Sequence, residues 1–161
     1  GDYRQFLRQA APDCIRPGKI RDRKGRVLGE HKGIAFYTIG QRKGLGIPAH
    51  RPLFVVGLDP ERNEVIIGEE GDLLRSELVV EGANWIPFHR LAGEMEVTVK
   101  IRYQHAGAPA RIRPLPGDRA QVEFREPQRA ITPGQAAVFY QEDLVVGGGI
   151  ISSGPGDPTP Y

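Results

Sequence analysis

Three stretches of this chain carry residue types that could do chemistry. The first is Gly40-Gln41-Arg42-Lys43-Gly44-Leu45-Gly46-Ile47, which follows the apolar run 34–39. Glycines let a backbone approach a ligand closely, and Arg42 and Lys43 supply charge for phosphates. Gly44 to Ala49 satisfies the spacing G-x-G-x-x-A. The dinucleotide reading fails, because Pro48 and the following His50-Arg51-Pro52 cannot open the helix that such a loop needs. A nucleotide P-loop, G-x-x-x-x-G-K-[ST], cannot be written either. Two readings remain: a basic glycine turn between strands, and a loop that faces nucleic acid.

The second stretch, Lys100-Ile101-Arg102-Tyr103-Gln104-His105, closes a segment that alternates strictly from Glu94 to Tyr103. Continued as a strand, it sends Arg102 to the wet face and sets Tyr103 at the top of the apolar one. A guanidinium there suits a phosphate, and a rim tyrosine can stack on a base; equally, Tyr103 can cap the core. The third stretch runs from Glu126 to Gln135. Pro127, Pro133 and Gly134 stiffen it into a loop presenting Gln128, Arg129 and Gln135, groups suited to sugar or base edges, or simply a well-made turn.

Several enzyme classes lack their residues. One cysteine, Cys14, and four scattered histidines (His31, His50, His89, His105) give no C-x-x-C and no H-E-x-x-H, so no metal site is expected. No G-x-S-x-G elbow is present. Cys14 stands near Arg16, but without an assigned histidine partner an inert thiol is expected. A single cysteine also precludes an internal disulfide and fits a reducing cytosol.

These candidates need elements to hold them. Tyr3 to Ala10 has the spacing of a short amphipathic helix, ended by Pro12. Thereafter helical periodicity fades. Lys19–Arg21 and Arg26–Leu28 flank the turn 22–25 as a hairpin; Leu53–Leu58 and Glu64–Ile67 flank Asp59–Asn63 as another. Beyond Glu94–Tyr103, short strands are expected at Arg111–Arg113, Ala120–Arg125, Ala136–Tyr140, Leu144–Val146 and Gly149–Ile151. Short alternating strands between Gly/Pro turns predict a small antiparallel barrel or sandwich. The fold expected is mainly β: a central domain over 1–80 carrying the one short helix, then a β-barrel over 81–161.

The net charge of +2 conceals a polarity. Residues 1–51 hold twelve Lys/Arg against four Asp/Glu, residues 52–96 three against ten, and residues 97–161 seven against six. Such segregation fits either one face set aside for a polyanion or an ordinary solvated surface. No window approaches the roughly 18 apolar residues of a membrane span, and no signal peptide opens the chain. A cytoplasmic location is expected.

A family likeness falls on the same segments. Gly1-Asp2-Tyr3-Arg4-Gln5-Phe6-Leu7, Pro17-Gly18-Lys19-Ile20, Gly29-Glu30-His31-Lys32-Gly33 and Tyr37 to Gly46 occur in order. Lys100-Ile101-Arg102-Tyr103, Pro127 to Tyr140 and Gly147 to Ile151 follow. Together they resemble the central and C-terminal domains of the tRNA-specific 2-thiouridylases. The resemblance implies an enzyme that uses ATP to adenylate the wobble uridine of tRNA and then transfers persulfide sulfur to make 2-thiouridine. It places the ATP loop, S-G-G-V-D-S, and the catalytic cysteines in an N-terminal domain that this chain lacks, and Cys14 matches neither cysteine. The chain alone is therefore expected to hold no cofactor and to be inactive. The implied partners are the anticodon arm of tRNA and a sulfur-relay protein or cysteine desulfurase. The resemblance implies tRNA contact at Arg102, Tyr103 and Gln135; charge and loop geometry add Arg42, Lys43 and Arg129. It also implies a barrel like domain 2 of translation elongation factors. The alternative is a stand-alone RNA-binding module, which the sequence upstream of Gly1 would distinguish.

Overall fold

Asp22 closes the first turn. Its Oδ1 accepts hydrogen bonds from the amides of Lys24 and Arg26, both at 2.9 Å, and its Oδ2 accepts from Arg26 Nε at 2.6 Å. Gly25 takes the left-handed φ of 82° that the turn requires. The strands it joins, β1 (Gly18–Asp22) and β2 (Val27–His31), pair antiparallel. Slight burial pushes the Asp22 carboxyl up, but the bonds from Arg26 and Lys24 outweigh it and hold the group below its ordinary value. A lowered folded-state pKa stabilises above the ordinary carboxylate range, and that stability is lost as pH falls through the lowered value. Urea unfolding from neutral to strongly acidic pH should therefore show an acid-linked loss that is smaller in Asp22→Asn.

This computed structural model describes residues 15–152, so the helix expected over Tyr3–Ala10 and the thiol of Cys14 lie outside the described residues. The chain divides into two compact units between Leu73 and Leu74. The described part of the first is a four-stranded sheet in the order β2-β1-β4-β3, with β3 at Phe54–Asp59 and β4 at Glu64–Gly68. Both expected hairpins form. The sequence did not reveal that they join through a parallel pairing of β1 with β4, Ile20 opposite Val65. This makes β4 a central strand, and every residue of it is buried, as strands covered on both faces are. Even Glu64 is 7% exposed, its carboxylate held by Arg21 Nε at 2.7 Å. Ile20, Leu45, Val55, Val65 and Ile67 form the core.

The second unit is a closed antiparallel barrel of six strands in the order β10-β5-β8-β7-β6-β9. They are β5 (Leu74–Trp85), β6 (Met95–Lys100), β7 (Ala108–Leu115), β8 (Arg119–Arg129), β9 (Ala136–Gln141) and β10 (Leu144–Ile151). The expected boundary at 80–81 falls inside β5, whereas the units part at Leu73–Leu74. The strands expected at 144–146 and 149–151 are one, β10. Val97, Val99, Ala110, Ile112, Val122 and Phe139 alternate inward, and Trp85 stacks on Phe139 at 5.6 Å. No helix among the described residues is long and apolar enough to cross a membrane.

Barrel closure depends on Gly147 and Gly148. A Cβ on Gly147 would overlap the Asn84 carbonyl oxygen and the Trp85 ring; one on Gly148 would lie 2.6 Å from the Ala137 carbonyl oxygen. Both obstacles include backbone, which cannot swing aside. Gly148→Ala should destabilise the barrel by about 1–3 kcal/mol through overpacking. Urea unfolding followed by the fluorescence of Trp85, the one tryptophan of the chain, reads this directly.

Candidate nucleic-acid interface

The antiparallel order fixes which loops share a rim. The C-terminal ends of β6, β8 and β10 and the N-terminal ends of β5, β7 and β9 lie together, as Val99 opposite Ala108, Leu74 opposite Arg129 and Ile150 opposite Ala136 record. The connections 101–107 and 130–135 therefore stand on one end of the barrel. They carry Arg102 and His105 and no carboxylate, whereas the connections at the other end carry Glu94, Asp118, Glu142 and Asp143 against Arg90 and His89. The first end is therefore the less acidic of the two.

The alternating strand stops sooner than its sequence suggests. β6 ends at Lys100, and Arg102 to His105 form a turn closed by the His105 amide donating to the Arg102 carbonyl at 3.1 Å. Ile101 remains in the core at 2% exposure. Tyr103 does not cap that core: it is 99% exposed. The physical reason is that the ladder to β7 ends at Val99 and the ladder to β9 at Lys100, so neither holds the residues beyond Lys100 in the pleat. An exposed aromatic ring on a turn can stack on a base at little entropic cost in the ring itself. The adjacent Arg102 gives one of its five guanidinium donors, Nη1, to the Arg129 carbonyl at 3.0 Å.

The third stretch is also not the loop its prolines suggest. Gln128 and Arg129 are the last residues of β8, paired with Arg75 and Leu74 of β5. Residues 124–127 stand opposite Ser76 alone, and this wide irregularity accommodates Pro127, which has no amide to give. Only residues 130–135 form a loop. Ala130 takes a left-handed φ of 57°, and Thr132 Oγ1 donates to its carbonyl at 2.9 Å. Gln135 is exposed at the loop's far end, with its carbonyl accepting from the Ile151 amide at 2.8 Å. The structure thus places Arg102, Tyr103, Arg129 and Gln135 on one rim. Arg102 and Arg129 touch; no described contact joins Gln135 to them.

Arg42 and Lys43 lie in the other unit and are both exposed. Their loop is well tied. The Val55 amide donates to the Gln41 carbonyl at 2.9 Å, and the Gly40 amide donates to the Val55 carbonyl at 2.8 Å. The Gln41 side chain accepts from the Thr38 amide at 3.1 Å and donates to the Lys43 carbonyl at 2.9 Å. Leu45 anchors the loop in the core. Upstream, the buried His31 accepts from the Gly33 amide through Nδ1 at 3.1 Å. A neutral imidazole then carries its proton on Nε2 and donates to the Asn63 carbonyl at 2.9 Å. The sequence offered no sign of this bracket.

Among the described residues no helix starts at Gly46, so the 40–46 loop has no helix N-terminus of its own to offer a phosphate. Among the described residues, no group of three His, Cys, Asp or Glu side chains is placed to hold a metal ion.

Comparisons with known proteins fall on either side of the division at Leu73. Residues 4–69 match the family model described as tRNA methyl transferase PRC-barrel domain, and residues 75–151 the aminomethyltransferase beta-barrel domain. The chain is 56% identical over 153 residues to the tRNA-specific 2-thiouridylase MnmA of Moorella thermoacetica, covering 95% of this chain and 43% of that protein. It is 49% identical to the enzyme of the same name from Clostridium beijerinckii, covering 94% of this chain and 42% of the relative. A Clostridium botulinum relative, tRNA-specific 2-thiouridylase MnmA 1, is 49% identical over 150 residues. The chain spans less than half the length of these curated relatives.

Proposed function

This chain belongs to the tRNA-specific 2-thiouridylase family through its central and C-terminal domains, and from that premise we propose that it is the part of such an enzyme that grips tRNA. The observation that carries the reading is Tyr103, wholly exposed beside Arg102 on a barrel rim whose two loops hold no carboxylate. Tyr103 stacks on a base, Arg102 meets a phosphate, and Gln135 hydrogen-bonds a sugar or base edge. Arg129 adds charge behind them. Arg42, a planar fork of donors, and Lys43, a point charge, hold backbone phosphates from a stiff loop of the central unit.

The whole enzyme would adenylate the wobble uridine with ATP and replace its C2 oxygen with persulfide sulfur, acting in the cytoplasm on the anticodon arm. In this reading both chemical steps belong to regions of the enzyme outside this chain, and a sulfur-relay protein or cysteine desulfurase is a further partner. Incubating the chain with tRNA, ATP and a persulfide donor should accordingly yield no 2-thiouridine; its appearance would overturn this division of labour.

Binding is the positive test. Titrating a fluorescent tRNA transcript at several salt concentrations should give a log–log slope of roughly −0.7 to −0.9 per phosphate neutralised. Arg42→Ala with Lys43→Ala should weaken binding of every tRNA alike and flatten that slope by about 1–2. An unaltered slope would remove these two residues from the interface.

A further inference from the structure

Arg102 and Tyr103 act on RNA only if their turn is held, and Tyr103, at 99% exposure, has no protein contact of its own to aim it. The turn is secured at both ends. At one end Arg102 Nη1 donates to the Arg129 carbonyl at 3.0 Å. At the other, His105 Nε2 lies 3.0 Å from Gln128 Oε1. The Gly107 amide donates to His105 Nδ1 at 3.3 Å, so Nδ1 is the acceptor and the proton of the neutral ring sits on Nε2, directed at Gln128. Gln128 is itself oriented, its Nε2 donating to the Glu126 carbonyl at 3.0 Å. Both ends of the turn thus land on neighbouring residues at the end of β8, and β8 is paired with β5 there.

We propose that His105 and Gln128 are positioning residues for tRNA recognition, a clamp that pre-orders the 102–105 turn so that Tyr103 and Arg102 meet the RNA without first being ordered by it. This rests on the reading that Tyr103 and Arg102 bind tRNA. Neither His105 nor Gln128 touches RNA in this scheme. Their contribution is the ordering cost that a braced turn avoids on binding.

The test is a double-mutant cycle in the full chain, read by anisotropy of a fluorescent tRNA transcript with uridine at the wobble position, alongside amide exchange of the free chain. His105→Ala and Gln128→Ala should each speed exchange of the amides of residues 104–107 without RNA and weaken binding by about 5- to 15-fold. The salt slope should stay at the wild-type value, because no phosphate contact is lost. In a Tyr103→Ala background the His105→Ala penalty should shrink, since only Arg102 is then left for the clamp to aim. A flattened salt slope in His105→Ala would overturn the proposal in favour of direct phosphate contact, and full additivity with Tyr103→Ala would overturn it in favour of general destabilisation. Faster exchange with undiminished affinity would sink the clamp while leaving tRNA binding intact, whereas a wild-type chain that fails to bind would sink both.

Discussion

Replacing Tyr103 with alanine is expected to weaken tRNA binding by about 5- to 150-fold, the equivalent of roughly 1–3 kcal/mol for one base stacked on an aromatic ring. The substitution is unusually clean. Because the side chain is 99% exposed, removing it takes nothing from the barrel core, and stability should stay within about 0.5 kcal/mol of wild type. Tyr103→Phe separates the two chemistries of the phenol: retained affinity assigns the effect to the ring, and lost affinity to the hydroxyl. Anisotropy titration of a tRNA transcript, with thermal unfolding of the free chain as control, checks both halves. Combining it with Arg102→Ala should add a flattened salt slope that Tyr103→Ala alone does not show.

Phe139→Ala acts from the opposite direction, on the scaffold. Phe139 is fully buried, stacked on Trp85 at 5.6 Å and 23°, and Trp85 continues to Phe88 at 5.4 Å. Truncation leaves a cavity that the closed barrel cannot collapse around, and a loss of about 3–5 kcal/mol is expected. The consequence for function follows from topology. Phe139 stands opposite Val99 on β6, one residue before the strand end that leads to Arg102, and β9 begins directly after Gln135. A barrel loosened there frees both rim loops. Urea unfolding followed by Trp85 fluorescence should show the lower midpoint, and tRNA affinity should fall at temperatures where the variant begins to open.

Much of the barrel was legible because its strands alternate. Val97, Val99 and Ile101 face inward and Glu96 outward, as the period of two requires. The same rule misplaced Tyr103, since side-chain alternation continues after the hydrogen-bond ladder has stopped; Gly107, at φ 87°, was the available sign of a turn close by. β5 escaped notice for a related reason. Leu74 is half exposed, Leu78 and Val80 are buried, and Gly82 breaks the pleat with φ 58°, so no clean alternation marks its twelve residues. The parallel pairing of β1 with β4 depends on contacts about 45 residues apart in sequence, which turn signals cannot reveal. The candidate binding residues were readable as types. Their gathering on one rim was not, nor was the His105–Gln128 bond that spans 23 residues.

Where RNA touches the chain can be measured without any substitution. Ultraviolet cross-linking of the wild-type chain to a tRNA transcript, followed by mass spectrometry of the cross-linked peptides, should place adducts on the turn carrying Arg102 and Tyr103 and on the 40–46 loop. Cross-links confined to the barrel's other end, with its Asp118, Glu142 and Asp143, or no specific cross-link at all, would contradict the assignment of this rim as the tRNA-gripping surface.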